Sequence, residues 1–450
     1  MKFSKDKLHT SLKSLPEANS YLVAYSGGMD SHVLLHSLNA LADKLQVNIR
    51  AVHVNHGLSG NAPHWADHCQ AVCDSLGINL RIIAIDARNP KGESPESWAR
   101  HQRYAVLADE LGPGEILLTA HHKDDQAETL LLQLFRGCGP DGLSAMPVSQ
   151  NFGRGWHCRP LLGYARDQLL AYASEHKLDW VEDESNQDVG IDRNFMRHQL
   201  LPAVREHWPG ILETLSRSAR HQAEASLLLD QLGASDLAGF TGQGPGDRLN
   251  INKLRQLPLP RQKNLLRYWL RQLELPIPEA GNMQNIISDV VNSRWDASPC
   301  VSWHGAELRC YRDYIYAASP LAVHDPGQVI GWDLQQPLAV AHGSLLARRG
   351  KGQGIRADLC RDKGVEIRYR SGGETIQPAG RQYHHDLKKL LQENAVPPWL
   401  RDRIPLLFID DNLVAVPGKW IAAEFMGNDS EECWQLEWEG MAEIFPISEV

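Results

Sequence analysis

The sequence predicts an α/β fold in which a doubly wound, Rossmann-like parallel sheet is followed by a mainly helical domain and a small α+β domain. In the first part of the chain, apolar runs of strand length alternate with stretches of helical periodicity, which is typical of a parallel sheet covered on both faces. Past Pro202 the helical stretches lengthen, and from about Ile330 short β-like runs dominate. We therefore divide the 450-residue chain into predicted domains at residues 1–215, 216–325 and 340–450.

Four strands and four helices are predicted to alternate in the first domain. The strands lie at Tyr21–Tyr25, Ile49–Val54, Leu80–Ile85 and Glu115–Ala120, and the helices near Ser31–Lys44, Pro63–Leu76, Pro95–Leu111 and Asp124–Phe135. Ligands of such sheets bind beyond the carboxyl ends of the strands. Ser26, His53 and His121 fall at three of those ends, so we expect them to meet in one crevice.

The remainder of the chain is predicted to contain longer helices and short strands. A long helix is expected at Ile211–Leu232, followed by a glycine-rich linker at Gly239–Gly246. Further helices are predicted at Pro260–Leu273, Pro278–Val291 and His384–Asn394, and short strands at Cys300–Trp303, Leu308–Tyr311 and Tyr314–Ala317. This pattern predicts an organisation different from that of the first domain.

Composition limits the classes of protein that the chain can represent. The formal net charge of −9 argues against a protein that coats nucleic acid indiscriminately. Residues 356–403 nevertheless contain ten Lys or Arg against seven acids, which is compatible with a local RNA-binding face or with an ordinary solvated surface. No apolar run approaches the about 20 residues of a membrane span. Eight cysteines without a CxxC pair indicate reduced thiols and a cytoplasmic location.

The six residues Ser26-Gly27-Gly28-Met29-Asp30-Ser31 form the most informative motif. They follow the first predicted strand and precede the first helix of the sheet. The two glycines allow close approach of the backbone to a ligand, and the serine hydroxyls and free N–H groups of a new helix suit an anion. The motif lacks the lysine and the longer loop of a Walker A sequence. It therefore predicts a phosphate-binding turn of another type, although an ordinary capped glycine turn has the same residues.

A second motif, His121-His122-Lys123-Asp124-Asp125-Gln126-Ala127-Glu128, lies where the fourth strand gives way to a helix. Asp125 and Glu128 are spaced to share a helix face, with His121 just before the first turn. Carboxylates beside a triphosphate can hold Mg²⁺ or orient an attacking ammonium group. An acidic first turn that is favoured by the helix dipole would explain the same residues without any chemistry.

Together the two motifs resemble the N-type ATP pyrophosphatases, the PP-loop family, which cleave ATP between the α and β phosphates and adenylate a substrate. Further stretches resemble the tRNA(Ile)-lysidine synthetase branch of that family. These are His53–Leu58, Glu96–Tyr104, Arg136–Met146, Glu182–Asn186 with Arg193–Arg197, Arg370–Glu374, Leu387–Leu390 and Val396–Asp402. Residues 225 to 330 carry little that can be matched.

This resemblance implies one reaction. The wobble cytidine of a CAU-anticodon tRNA(Ile) attacks the α-phosphate of ATP through its O2, and pyrophosphate leaves. The ε-amine of free L-lysine then attacks C2 of the adenylated base and AMP departs. The target base must leave the anticodon stack, which a single-stranded loop allows at low energetic cost. A homodimer is compatible with the sequence but not established by it.

The resemblance also assigns roles to individual residues. The expected catalytic residues are Asp30, Arg100, His121, Asp125 and Glu128, and the expected ATP-binding residues are Ser26, Gly27, Gly28, Met29, Asp30, Ser31, His53 and Arg193. Asp30 and Asp125 are expected to hold Mg²⁺, and Asp125 and Glu128 to receive and deprotonate the lysine ammonium. Arg370, Lys388, Lys389 and Arg401 are expected to contact tRNA.

Three alternative functions remain open at this point. A sister enzyme that thiolates tRNA would be expected to carry cysteine pairs, and the sequence has no CxxC. A synthetase of small-molecule amides would be expected to carry an amidotransferase cysteine near its N-terminus, which is also missing from the sequence. A nucleotide-binding regulator without chemistry is disfavoured by the presence of Asp30, Asp125 and Glu128.

Overall fold

The computed structural model describes residues 2–57, 60–85, 95–240, 248–293, 299–361 and 363–440. The chain divides into two compact units, residues 1–229 and 230–450. Among the described residues, no helix is long and apolar enough to cross a membrane. Part of the predicted linker, residues 241–246, lies outside the described residues.

The first unit contains a six-stranded sheet. Its strands are β1 (Ser20–Ala24), β2 (Asn48–Asn55), β3 (Asn79–Ala84), β4 (Glu115–Leu118), β5 (Ser149–Phe152) and β6 (Gly155–Cys158). They lie in the order β3-β2-β1-β4-β6-β5, and every neighbouring pair is parallel except β5 and β6. The predicted doubly wound sheet is confirmed, with an antiparallel hairpin strand that the sequence pattern did not reveal at its edge.

Helices accompany these strands along the chain. They are α1 (Lys5–Lys13), α2 (Met29–Asn39), α3 (Ala42–Leu45), α4 (Ala62–Leu76), α5 (Pro95–Glu110), α6 (Lys123–Phe135), α7 (Pro140–Leu143), α8 (Arg166–Glu175), α9 (Asp192–Phe195), α10 (Leu201–His207) and α11 (Ile211–Ala238). A 3₁₀ turn at Glu184–Gln187 and a π-helical segment at Met196–Leu200 also belong to the first unit, and α11 continues into the second. The predicted helix Ser31–Lys44 is two helices, α2 and α3.

Alternation of side chains along the strands creates two cores, one on each face of the sheet. Leu22 of β1 and Leu117 of β4 belong to a cluster with Leu107 of α5. Their neighbours Val23 and Leu118 belong to a larger cluster with helix α2. Because successive residues of a strand point to opposite faces, strands buried on both sides read as continuous apolar runs. This double burial fixes the strands whose carboxyl ends carry the polar motifs.

The second unit begins with helices and a four-stranded antiparallel sheet. The helices are α12 (Ile251–Gln256), α13 (Leu259–Gln272) and α14 (Ala280–Asn285), the last continued by a π-helical segment at Ile286–Val291. The strands are β7 (Arg248–Asn250), β8 (Cys300–Trp303), β9 (Ala306–Tyr311) and β10 (Tyr314–Ala318), in the order β7-β10-β9-β8. Apolar side chains of both layers share one core.

The last part of the chain is the predicted α+β region. Its strands are β11 (Val329–Gly331), β12 (Leu338–Ala339), β13 (Ser344–Lys351), β14 (Ile355–Arg356), β15 (Val365–Arg368), β16 (Thr375–Ile376), β17 (His385–Asp386), β18 (Leu406–Ile409), β19 (Asn412–Val416), β20 (Trp420–Ile421) and β21 (Glu432–Trp438). Short helices α15 (Ala357–Cys360), α16 (Leu387–Glu393) and α17 (Pro398–Arg401) lie between them. The main sheets have the orders β11-β15-β18-β19-β20 and β12-β13-β21-β14 and share one apolar core.

Candidate active site

A cavity of about 530 Å³ lies at the carboxyl ends of β1, β2 and β4. Ser26, His53 and His121 all line it, so the structure brings together the three residues that were expected to converge. Strand order explains the convergence: β1 lies between β2 and β4, so the segments that follow these three parallel strands are neighbours at one edge of the sheet. This is the switch point at which doubly wound sheets bind ligands.

The loop after β1 is held in a compact shape. Gly27 has φ +83°, and a Cβ at this position would lie 2.9 Å from Cys69 Sγ and 2.9 Å from Val181 Cγ2. Ser26 Oγ accepts from the Gly28 N–H at 3.3 Å and lies 3.1 Å from Ser31 Oγ. Only glycine therefore fits at position 27, and the serines tie the two ends of the loop together.

Helix α2 begins at Met29 without a side chain that caps its first N–H groups. These donors and the positive end of the helix dipole remain available to an anion. The Met29 side chain is buried in the core, so a contact of Met29 with a ligand would involve its backbone alone.

His122 is the centre of an acidic cluster that the sequence analysis did not identify. Its Nε2 lies 3.6 Å from Asp30 Oδ2 and 3.4 Å from Asp125 Oδ2, and its Nδ1 lies 3.6 Å from Asp124 Oδ2. Burial by itself would lower the pKa of His122, but Asp125, Asp124 and Asp30 raise it to about 10. His122 is therefore an imidazolium that links the loop after β1 to the first turn of α6.

Two arginines neutralise the carboxylates on the inner face of α6. Arg193 donates to Glu128 Oε2 at 2.9 Å and to Asp125 Oδ1 at 3.1 Å. Arg197 donates to Glu128 Oε1 at 2.7 Å and to Asp125 Oδ1 at 3.1 Å. Burial would raise the pKa of Asp125, but His122 and the arginines hold it well below its usual range.

This arrangement changes the expectation for the two carboxylates. Glu128 is fully buried, and both of its oxygens accept hydrogen bonds from the arginines. It is thus an anchor for Arg193 and Arg197 rather than an exposed acceptor of an ammonium group. Asp125 lines the cavity, but its Oδ2 accepts from the His122 backbone N–H at 2.9 Å and its Oδ1 from both arginines.

Arg103, rather than Arg100, is the cation of α5 that lines the cavity. Arg100 is exposed, with its guanidinium 5.0 Å from the centroid of the Tyr104 ring. Burial and the nearby Arg100 and Arg193 lower the pKa of Arg103, while Tyr104 raises it. Among the described residues no carboxylate forms an ion pair with Arg103, so a bound anion would balance its charge. The two arginines are three residues apart on α5 and therefore lie on the same side of the helix, so the sequence alone could not show which of them lines the cavity.

The two cavity histidines named from the sequence differ in their hydrogen bonding. His53 Nδ1 lies 3.0 Å from the Tyr25 carbonyl oxygen, so this nitrogen carries the proton and Nε2 is an acceptor. Burial lowers the pKa of His53, although the Tyr25 carbonyl raises it. His121 Nδ1 instead lies 2.8 Å from Thr119 Oγ1. Burial lowers the pKa of His121 to about 3, against the opposing effect of Asp125.

The four residues expected to contact tRNA fall into two groups. Lys388 and Lys389 are exposed on α16. Arg370 is bound to Asp402 at 2.9 Å and lies 3.6 Å from Glu374. Arg401 is buried and donates to the Val396 carbonyl at 3.0 Å and to the Tyr311 hydroxyl at 2.9 Å. The last two have structural partners, and for Arg401 we replace the expected RNA contact with a role in folding.

Comparison with protein families finds matches for three segments of the chain. Residues 2–204 match a family model described as the PP-loop domain, which is an ATP-binding domain and includes every cavity residue discussed above. Residues 249–316 match the TilS substrate binding domain, and residues 365–438 match the TilS substrate C-terminal domain.

Full-length relatives agree with these matches. The tRNA(Ile)-lysidine synthase of Coxiella burnetii is 41% identical over 97% of this chain and 96% of that protein. The enzyme of the same name from Methylococcus capsulatus is 42% identical over 95% of this chain and 97% of that protein. Among solved structures, the U34-tRNA thiolase NcsA of Methanococcus maripaludis is similar over 49% of this chain and 78% of its own, with 20% identity and a TM-score of 0.42. From the family models and the full-length relatives, the chain belongs to the tRNA(Ile)-lysidine synthase family of PP-loop proteins.

Proposed function

We propose that the chain joins the ε-amine of free lysine to C2 of the wobble cytidine of a CAU-anticodon tRNA(Ile), consuming ATP and releasing AMP and pyrophosphate. One observation carries this proposal beyond family membership: the Ser26–Ser31 loop and the acidic start of α6 line the same cavity. The cytidine oxygen leaves with AMP, and the amine nitrogen takes its place on C2. The net reaction therefore balances without a further reactant.

The triphosphate of ATP is expected to lie against the loop after β1. The uncapped N–H groups at the start of α2 and the hydroxyls of Ser26 and Ser31 offer donors to the pyrophosphate. Arg103 supplies a cation in the same cavity that lacks a carboxylate partner in the described part of the chain. As pyrophosphate leaves, fixed donors and a fixed cation stabilise the charge that builds on its oxygens.

The adenine is expected to lie beside His53. Since its Nδ1 is bound to the Tyr25 carbonyl, Nε2 can accept a hydrogen bond from an exocyclic amine such as that of adenine. The pKa of His53, lowered by burial, favours the neutral form that this contact requires. A carbonyl oxygen in the same place would find no hydrogen-bond donor, because Nε2 of His53 carries no proton.

Asp30 fits the role of a Mg²⁺ ligand better than Asp125 does. Asp30 Oδ1 is buried and lacks a hydrogen-bond partner, whereas both oxygens of Asp125 are engaged. Within the described ranges, no group of three or more His, Cys, Asp and Glu could hold a metal ion by itself. Mg²⁺ bound with substrate phosphates needs only one or two carboxylates. Such an ion would supply positive charge at the phosphates.

The lysine ammonium is expected to bind near Asp125, the α6 carboxylate that lines the cavity. The low pKa of Asp125 lets this side chain attract the ammonium group but makes it a weak base. We therefore assign the loss of the amine proton to solvent at the cavity mouth, and the orientation of the amine to Asp125. Glu128 acts indirectly, by holding Arg193 and Arg197 in place.

Incubation of the full chain with ATP, labelled lysine and a CAU-anticodon tRNA(Ile) transcript tests the proposal. We expect label in the RNA and one pyrophosphate per lysine transferred. A transcript with uridine at the wobble position serves as the control and should stay unlabelled. Label that appears in a small molecule without RNA, or sulfur transferred from a thiol donor in place of lysine, would replace this function with one of the related activities.

A further inference from the structure

A chain of buried polar side chains connects the protein interior to the cavity behind His121. Arg159 Nη2 lies 3.1 Å from His157 Nδ1, His157 Nε2 lies 2.8 Å from Thr119 Oγ1, and Thr119 Oγ1 lies 2.8 Å from His121 Nδ1. His157 is 0% exposed, Arg159 is 4% exposed and Thr119 is 6% exposed. Thr119 and His121 line the cavity. His157 and Arg159 have no role in the proposed reaction described above.

Only one direction of proton donation along this row of hydrogen bonds satisfies all four side chains. A guanidinium only donates, so His157 Nδ1 accepts from Arg159 and cannot carry a proton. The proton of neutral His157 is therefore on Nε2, which donates to Thr119 Oγ1. The Thr119 hydroxyl has two partners among the described residues. All of these groups are satisfied by one another only if the Thr119 proton goes to His121 Nδ1, which leaves the proton of His121 on Nε2.

We propose that Arg159, His157 and Thr119 are positioning residues that hold His121 as a neutral imidazole with its proton on Nε2, so that His121 donates a hydrogen bond to bound substrate and does not act as a base. The identity of the acceptor rests on the proposed function: it is an oxygen that gains negative charge during adenylation or lysine attack. A neutral histidine donor suits that task, because it stabilises the charge without giving up its proton.

The electrostatic surroundings agree with neutral rings. Burial, Arg159 and the neighbouring His121 lower the pKa of His157 to about 2. Burial lowers the pKa of His121 to about 3; Arg159, Arg193 and Arg100 act in the same direction, and Asp125 opposes them. The two histidines therefore differ from His122, which has carboxylates around it and a pKa raised to about 10.

Nuclear magnetic resonance of the full chain with ¹⁵N-labelled histidine tests the tautomers without any substrate. The ring nitrogens of the two residues are assigned by their loss in the His121→Gln and His157→Gln variants. We expect protonated Nε2 and bare Nδ1 in both rings, unchanged between about pH 5 and pH 9, where an ordinary histidine titrates. A proton on Nδ1 of His121, or titration of either ring in this range, would overturn the proposal.

Activity of two matched variants at Thr119 tests the positioning role. Thr119→Ser keeps the hydroxyl, whereas Thr119→Val keeps the shape and removes it. We expect Thr119→Val to lower kcat for lysine transfer by about tenfold or more, with little change in KM for ATP. His121 of Thr119→Val should show both tautomers in the ¹⁵N spectrum, because Nδ1 has lost the hydroxyl donor that keeps it unprotonated. Thr119→Ser should keep the single tautomer of His121 and the kcat of the wild type within about threefold.

Three outcomes are decisive. Equal kcat values and the same His121 tautomer in Thr119→Val and wild type would contradict the positioning role. Should Thr119→Val fail to fold, the tautomers of the wild-type chain still decide the proposal. Absence of lysine transfer by the wild type would refute the proposed function, but the resonances of His121 and His157 would still test the hydrogen-bond chain independently.

Discussion

Gly27 shows how a single residue decides whether the Ser26–Ser31 loop can form. Its φ of +83° lies in the left-handed region, and the space where a Cβ would lie is filled by Cys69 and Val181. Gly28, next to it, has an ordinary φ of −74°. The nearest atom to a Cβ there would be Ser26 Oγ at 3.5 Å, an ordinary contact distance. Of the two glycines of the motif, only Gly27 is therefore required by the geometry of the loop itself.

Gly27→Ala is expected to lower the free energy of unfolding by about 1–3 kcal/mol, because it adds both backbone strain and a steric overlap. Gly28→Ala is the matched control and should change the free energy of unfolding by less than about 1 kcal/mol, because neither penalty applies. Urea unfolding of both variants in the absence of nucleotide measures the difference. Equal destabilisation of the two variants would contradict the loop geometry.

The pH dependence of stability should report the charge on His122. The pKa of His122 in the folded chain, about 10, lies above the unfolded value of about 6.5. The stabilisation that results is fully present below pH 6.5 and is lost as the pH rises through 10. Wild type should therefore lose stability over this interval relative to His122→Gln. Parallel curves of unfolding free energy against pH for the two proteins would show that His122 is not charged in the fold.

Residue-level prediction from the sequence succeeded where neighbours in the chain form the feature. The Ser26–Ser31 loop and the acidic start of α6 are continuous stretches, so their composition was enough to locate both. The positions of His122 and Arg103 in the site could not be predicted, because they depend on residues far apart in sequence. Asp30 lies beside His122, and Arg103 lines a cavity that several strands form. Adjacent pairs such as His121 and His122 look alike in a sequence and differ only in their partners.

At the scale of elements, helix α6 is defined by the charges that it buries. Glu128 has no access to solvent and is bound by Arg193 and Arg197. Lys123 on the same helix is also buried, but its partner Glu213 has a side chain that is 70% exposed. The first arrangement is a buried ion cluster, in which loss of one partner leaves charges uncompensated, and the second joins a buried ammonium group to an exposed carboxylate.

Glu128→Gln is expected to lower the free energy of unfolding by about 3 kcal/mol, because it leaves two partly buried guanidinium groups with Asp125 as their only carboxylate partner among the described residues. Asp6→Asn, which removes the partner of Lys44 in a pair whose side chains are 56% and 78% exposed, is the control and should cost less than about 1 kcal/mol. Chemical denaturation of both variants at neutral pH makes the comparison. A Glu128→Gln variant as stable as the control, with a raised KM for lysine, would restore the role first expected for Glu128.

Helices α16 and α17 carry two kinds of basic residue: exposed lysines, for which we expect RNA contact, and the buried Arg401, for which we expect a role in folding. Lys388→Ala with Lys389→Ala should weaken tRNA binding and reduce the slope of log affinity against log salt by about one for each lysine. The free energy of unfolding should be unchanged, because both side chains are exposed. Filter binding over a range of salt concentrations measures the slope, and an unaltered slope would exclude these lysines from the RNA contact.

Arg401→Ala is the counterpart of that experiment. It removes the donor of the Val396 carbonyl and of the Tyr311 hydroxyl, so we expect a loss of about 1–3 kcal/mol in the free energy of unfolding. The salt slope of tRNA binding by the folded protein should stay at the wild-type value. A reduced slope with normal stability would return Arg401 to the RNA-binding set.

For the whole molecule, sheet topology explains why the site could be predicted as a convergence of strand ends. Continuous apolar runs identified β1 to β4, and the parallel order that they imply put Ser26, His53 and His121 at one edge. The hairpin β5–β6 could not be predicted, because its strands contain polar residues such as Asn151 and His157 and therefore no continuous apolar run. With β6 unknown, the hydrogen-bond chain from Arg159 to His121 could not be derived from the sequence.

The structure of the full chain with Mg²⁺ and a non-hydrolysable ATP analogue would show where the nucleotide binds. We expect the β and γ phosphates against the backbone N–H groups of the Ser26–Ser31 loop, Asp30 on the metal ion and the adenine beside His53. Density for the nucleotide in any other cavity, or phosphates that make no contact with the loop after β1, would contradict this expectation.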